Sequence, residues 1–152
     1  MNGASRALFT TMTGLYVAAA ALVLAVVLGL VWRSRNGVMC ASPERAGADV
    51  ERLDAAELGA ELGEAATLVQ FSSAFCAPCR ATRRVLTEVA GMVDGVAHVE
   101  IDAESHLDLV RRLNVLRTPT VFVLDPNGAI VRRGSGLPRK ADIVAALGET
   151  TS

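Results

Sequence analysis

The stretch Phe71–Arg84, FSSAFCAPCRATRR, puts two of the chain's three cysteines three residues apart, with a proline between them and arginines behind. A short β-rich run, TLVQF over Thr67–Phe71, leads straight into it. Past Pro78 the period changes: Val85, Val89 and Val93 recur every fourth residue, with Leu86 and Met92 beside them, while Arg80, Arg83, Arg84, Thr87 and Glu88 take the other face. That is an amphipathic helix, with Asp94-Gly95 as its stop. The cysteines therefore stand where a strand turns into a helix. At the helix start, unpaired backbone N–H groups and the helix dipole favour a thiolate on Cys76. Cys79 follows one turn later on the same face, and Pro78 fits the first turn, where its missing N–H has no partner to lose. The pattern reads as a redox dithiol, Cys76 as nucleophile and Cys79 as resolving thiol, with Arg80 and Arg83 adding positive charge nearby. A zinc site needs about four ligands, and only Cys40, His98 and His106 remain, scattered along the chain.

Outward from this junction the elements alternate. Val50–Leu53 reads as a short first strand, and Ala55–Leu62 as a helix with Asp54 placed to cap it. Val96–Asp102 alternates, with Ala97, Val99 and Ile101 on one side and His98, Glu100 and Asp102 on the other. Ser105 is placed to cap a helix reaching about Leu113. The apolar run Thr120–Leu124 is a buried strand, turned by DPNG at Asp125–Gly128 into AIVRR as a hairpin. Arg139–Leu147 makes a last helix after Pro138. The order β-α-β-α-β-α-β-β-α predicts an α/β domain with a mixed central sheet covered by helices.

Ahead of that domain, Gly14–Trp32 is 19 residues without a charge, enough for a helix spanning roughly 30 Å of hydrocarbon. WRSR follows it in place of a small-residue cleavage pattern, which favours a retained anchor over a cleaved leader. The expected layout is a tail at 1–13, a transmembrane helix at 14–32, a tether at 33–48, the folded domain at 49–148 and a tail at 149–152. A single-pass protein of the cell membrane follows, held in lipid by one helix. Arg33 and Arg35 outweigh Arg6 by one charge, which tilts the domain toward the cytoplasmic side. From Glu44 onward there are 12 basic and 16 acidic residues, a balance of −4. A mildly acidic domain without a basic stripe is a poor nucleic-acid binder. The doublets Arg83-Arg84, Arg111-Arg112 and Arg132-Arg133 read as exposed faces.

A strand, then FCAPC opening a helix, then TPT at Thr118–Thr120 about forty residues later and before a hairpin, resembles the thioredoxin family, from about Val50 to Leu147. The resemblance implies the thioredoxin fold and thiol–disulfide exchange without a bound cofactor. It implies a cis Thr118-Pro119 peptide beside the cysteines, Thr118 backbone groups that pair with substrate, and Gly136 in a substrate-facing loop. The chain also departs from the family. Phe75 and Ala77 stand where tryptophan and glycine are usual around the first cysteine. Gln70 replaces the buried aspartate that handles the resolving thiol's proton, and His98 replaces a lysine that accompanies it. Imidazole titrates near neutrality, so His98 is a candidate base for Cys79. The expected activity is reduction of disulfides in partner proteins, with an upstream protein dithiol as electron source. Two alternatives stand beside it: a redox-inactive module using the cis-proline groove for binding, and a metal-carrying CxxC protein.

Overall fold

The computed structural model describes residues 3–35, 37–41 and 51–150. The chain divides into two compact units, Met1–Arg35 and Asn36–Ser152. The first is one helix, α1 (Gly3–Arg35), of 33 residues. Its stretch Gly14–Trp32 is long and apolar enough to cross a membrane, by length and composition, features that a signal sequence shares.

The second unit is built on a five-stranded sheet. Its strands are β1 (Cys40–Ala41), β2 (Ala66–Ser72), β3 (Val96–Asp102), β4 (Thr120–Leu124) and β5 (Ile130–Ser135), in the order β1-β5-β4-β2-β3. β2 and β3 are parallel and every other pairing is antiparallel, so the sheet is mixed. All seven residues of β2 are buried, because it is central and covered on both faces. On one face Ala66, Leu68, Val121 and Val123 pack against α3 (Ala77–Ala90) and α5 (Lys140–Gly148) through Leu86, Val89, Ile143 and Leu147. On the other, Val69, Phe71, Ile101 and Phe122 form a second core with Leu58 of α2 (Ala55–Leu58) and Leu113, which follows α4 (Leu107–Arg112). In register, Phe71 opposes Thr120 and Thr120 opposes Ser135. The C-terminal ends of β2, β3 and β5 and the N-terminal end of β4 therefore meet at one end of the sheet.

Several boundaries differ from the sequence expectation. Val50 lies outside the described residues. Arg52 makes a single antiparallel bridge to Ala129 rather than entering the sheet as part of a strand. The edge beside β5 is taken by β1, whose Cys40 and Ala41 pair with Arg133 and Arg132, so a piece of the expected tether forms a sheet edge. Asp54 does cap α2, in a reciprocal box with Glu57, but the helix stops at Leu58 because Gly59 turns left-handed at φ 64°. α3 ends at Ala90, before Asp94-Gly95, which leaves Met92 exposed. Ser105 is not a cap: its hydroxyl donates to Asp102 Oδ2 at 2.5 Å, and His106 precedes α4 without a side-chain cap. The DPNG turn is closed by Asp125 Oδ1, which accepts from the N–H groups of Asn127 and Ala129. Gly128 sits there at φ 78°, and a Cβ on it would come within 2.1 Å of the Leu53 carbonyl oxygen.

Candidate active site

β2 delivers the chain to the cysteines at the site end of the sheet. The N–H of Cys76 donates to the carbonyl of Ala74 at 2.7 Å. Between them Phe75 takes φ 45°, a left-handed backbone that turns its ring fully into solvent. Cys76 is the N-cap of α3, and its Sγ accepts from the N–H of Cys79 at 3.2 Å, so a helix-end donor is aimed at the sulfur. Ala77 and Pro78 fill the first two helical positions, where a missing N–H costs nothing. Cys76 and Cys79 are joined as a disulfide, their Cα atoms 5.2 Å apart. Cys76 is half-buried and Cys79 is 2% exposed, so one sulfur can be approached and the other is sheltered.

The Thr118-Pro119 peptide is cis. Thr118 Oγ1 and Ser73 Oγ are 2.9 Å apart, which ties this loop to the segment that leads into Cys76. Gly136, at φ 92°, donates its N–H to the Pro119 carbonyl at 2.8 Å. Residues from four segments thus converge on one end of the unit: Phe75–Cys79, Thr118-Pro119, Gly136 and the end of β2.

Gln70 is fully buried on β2, and its Nε2 donates to the Cys79 carbonyl at 3.0 Å and to Ser72 Oγ at 2.7 Å. It also lies 3.4 Å from Glu100 Oε1. Sequence reasoning put Glu100 on the right face of β3 and gave it no role. The parallel register sets it opposite Gln70, and Arg83 of α3 holds it at 2.5 Å and 2.8 Å. His98 is one step back on the same face, with Nδ1 3.2 Å from Thr87 Oγ1 and a buried Nε2 that has no partner among the described residues. The two contacts match because four helical residues rise about 6 Å and two strand residues about 6.6 Å. Gln70, not His98, is the side chain that touches Cys79. Beside this network lies an open groove of about 350 Å³, lined by Ser72, Ser73, Ala74, Arg83, Glu100 and Asp102.

Burial pushes the Glu100 carboxyl up, but the Arg83 guanidinium and the Ser72 hydroxyl, with His98, bring it below the usual range. Burial pushes the His98 imidazole below its usual value near 6.5, helped by Arg83 and opposed by Glu100. The unfolded chain therefore takes up a proton on this histidine before the folded one does. Its contribution to stability is present above about pH 6.5 and is lost as pH falls toward the folded value. The thermal midpoint is expected to drop between about pH 7 and pH 5, and His98→Gln to flatten that part of the profile. An unchanged slope in the variant would assign the drop to other groups.

A mixed sheet with helices on both faces, and a helix-capping cysteine paired to a sheltered one beside a cis-proline, is the frame of a thiol–disulfide oxidoreductase. The family model described as Thioredoxin matches residues 50–149, that is 100 of the 152, and the chain belongs to the thioredoxin family. It is similar to a thioredoxin of Mycoplasma genitalium, 27% identical over 77 residues that make up 51% of this chain and 74% of the relative. Chloroplastic thioredoxin z is 25% identical with a TM-score of 0.55, over 68% of this chain and 95% of that one. A thioredoxin mutant from Halobacterium salinarum shares the fold at 21% identity and a TM-score of 0.53, over 59% of this chain and 77% of that one.

Proposed function

We propose that this chain is a membrane-anchored thiol:disulfide oxidoreductase that reduces disulfides in partner proteins. In the reduced protein the Cys76 thiolate attacks one sulfur of a partner disulfide. A bond forms between Cys76 Sγ and that sulfur, and the other partner sulfur leaves with the electron pair and takes a proton. Cys79 then loses its proton and attacks Cys76 Sγ. The second partner thiol is released, and the Cys76–Cys79 disulfide is left behind. Two electrons pass to the partner, and an upstream protein dithiol restores them.

The observation that carries this reading is the asymmetry of the pair. Cys76 is approachable and faces a helix-end N–H, while Cys79 is buried one turn away. Phe75, Ala77 and Pro78 shape the surface on one side of Cys76, and Thr118, Pro119 and Gly136 hold the partner backbone on the other. Gln70 fixes the Cys79 backbone but cannot take its proton. His98 is the base we assign to that proton: with Nδ1–H donating to Thr87 its Nε2 is bare and buried, and it takes the proton once the reduced site admits a water. The stretch Gly14–Trp32 supports the anchor by its length and apolarity. Mixing the reduced full-length chain in detergent with a disulfide-bonded protein should yield one reduced partner disulfide per chain. Binding without any loss of partner disulfide would instead support the redox-inactive binding module.

A further inference from the structure

The charged side chains of the sheet-containing unit sort by position. Arg83 is paired with Glu100, Arg112 with Glu57 and Glu51, Arg111 with Asp108, Arg132 with Glu149 and Lys140 with Glu88. Arg133 lies over the Phe122 ring, 5.1 Å from its centroid. That leaves Arg52, Arg80, Arg84, Arg117 and Arg139, all exposed, whose side chains have no ion pair among the described residues.

Three of these five stand at the cysteine end. Arg80 follows Cys79 and comes four residues after Cys76, hence one turn beyond it on the same helix face. Arg117 immediately precedes the cis Thr118-Pro119 peptide, its backbone fixed by the Thr120 hydroxyl at 2.7 Å. Arg139 is the N-cap of α5, three residues after Gly136. Exposed apolar side chains belong to the same segments: Phe75 at 104% just before Cys76, Leu116 at 84% just before Arg117, and Leu137 at 47% two residues before Arg139. Glu61, Glu64, Asp94 and Asp125 lie at the opposite end of the sheet, before β2, before β3 and after β4, with Arg52 as a cation there. The anions nearest the cysteines, Asp102 and Glu104, are on the β3 side, where Glu104 accepts from the Ala74 N–H at 3.3 Å; on the cis-proline side Asp142 stands in the first turn of α5 and lines a groove with Met39 and Arg132. In a domain whose charge balance is −4 from Glu44 onward, the cis-proline side of the site is thus cationic and apolar.

We propose that this rim selects protein partners whose reactive disulfide is flanked by acidic and apolar side chains, the acidic ones lying over Arg117 and Arg139. The proposal rests on the exchange activity above and adds the chemistry of its substrate. Exposed ion pairs are individually weak. Opposite potentials across an encounter, however, raise the association rate by about tenfold or more at low salt. The selectivity therefore belongs to the rate of mixed-disulfide formation and fades with ionic strength. A protein partner is favoured over an anionic lipid surface because the cationic side borders the reactive Cys76 while Glu104, on its other side, is an anion that a lipid surface would repel.

The test uses the reduced full-length chain in uncharged detergent and three peptides. Each holds one intramolecular disulfide and the same apolar residues, flanked by Glu, Lys or Ser. At about 10 mM ionic strength, where the Debye length is about 30 Å, the Glu peptide should react about tenfold faster than the Lys peptide. At about 150 mM the ratio should shrink, since screening sets in at about 8 Å. Arg117→Gln combined with Arg139→Gln should bring the low-salt ratio close to one, with the Ser peptide as reference. Equal Glu and Lys rates, with the Ser peptide still reduced, would overturn the selectivity and leave the exchange activity standing. Equal rates that fall for all three peptides when anionic lipid is added, in the parent chain only, would reassign the rim to a lipid surface. No reaction with any peptide would sink the exchange reading and the selectivity together.

Discussion

Cys76→Ser is expected to form no mixed disulfide with a partner, whereas Cys79→Ser forms it and stops there. Cys76 Sγ is approachable and receives the N–H of Cys79, so only this sulfur can be a reachable, stabilised thiolate. The hydroxyl that replaces it stays protonated at neutral pH and cannot displace a sulfur. Cys79 is 2% exposed, so no partner disulfide reaches it from solution, but it lies one helical turn from the bond that must break. Held that close, it acts at an effective concentration of many molar. External thiol at about millimolar concentration should therefore release the adduct at least about 10³-fold more slowly. The adduct should appear as a covalent species stable to denaturant and cleared by excess thiol. Both variants belong in a Cys40→Ser background, because Cys40 is free and exposed and would otherwise form adducts of its own. Turnover surviving in Cys76→Ser, Cys40→Ser would move the nucleophile to Cys79 and overturn the assigned order.

The elements around this pair were legible because each carries its own side-chain pattern. Thr67–Phe71 and Thr120–Leu124 are apolar runs of strand length, and α3 shows its period through Val85, Leu86 and Val89. Asp54 was legible as a cap from its residue type and its place just ahead of Ala55, and it does cap α2. The missed features depend on backbone or on register. Cys40–Ala41 joins the sheet through main-chain bonds to β5, and two residues have no periodicity to read. The end of α2 is set by the left-handed Gly59, well before the apolar pattern runs out at Leu62.

At the site, the alternation of β3 put His98 and Glu100 on one face but could not say which of them meets Gln70. The parallel pairing of β2 with β3 decides that in favour of Glu100. The arginine doublets are a similar case. Read along the chain they are exposed faces, yet Arg83, Arg112 and Arg132 each hold a carboxylate. At the cysteine end, the charge without an ion pair among the described residues is carried by Arg80, Arg117 and Arg139, separated in sequence and gathered there only by the fold.

The largest expected loss of stability comes from Phe122→Ala. Phe122 is 1% exposed on β4, and its ring meets Phe71 edge-on, with centroids 5.7 Å apart and planes at 79°. The Arg133 guanidinium also lies over this ring, 5.1 Å from its centroid. Truncation removes the burial of a large ring, leaves a cavity in a packed core, and removes both ring contacts at once. The expected cost is about 3–5 kcal/mol. For a folded unit of roughly 100 residues with about 5–15 kcal/mol in all, that is a large share. It corresponds to a fall of about 12 °C or more in the unfolding midpoint. Denaturant titration of the full-length chain in detergent measures it, and Phe122→Leu, which keeps most of the volume, should cost less than about 1.5 kcal/mol. An alanine variant within about 1 kcal/mol of the parent would mean that this pair does not support the core. The pair also sits between the two segments that make the site, because Phe71 is on the strand that runs into Cys76 and Phe122 on the strand that leaves the cis-proline. Loosening it should let the Ser73–Thr118 contact open below the global midpoint. The Phe122→Ala chain should then lose its rate of mixed-disulfide formation at a lower temperature than it loses its helices.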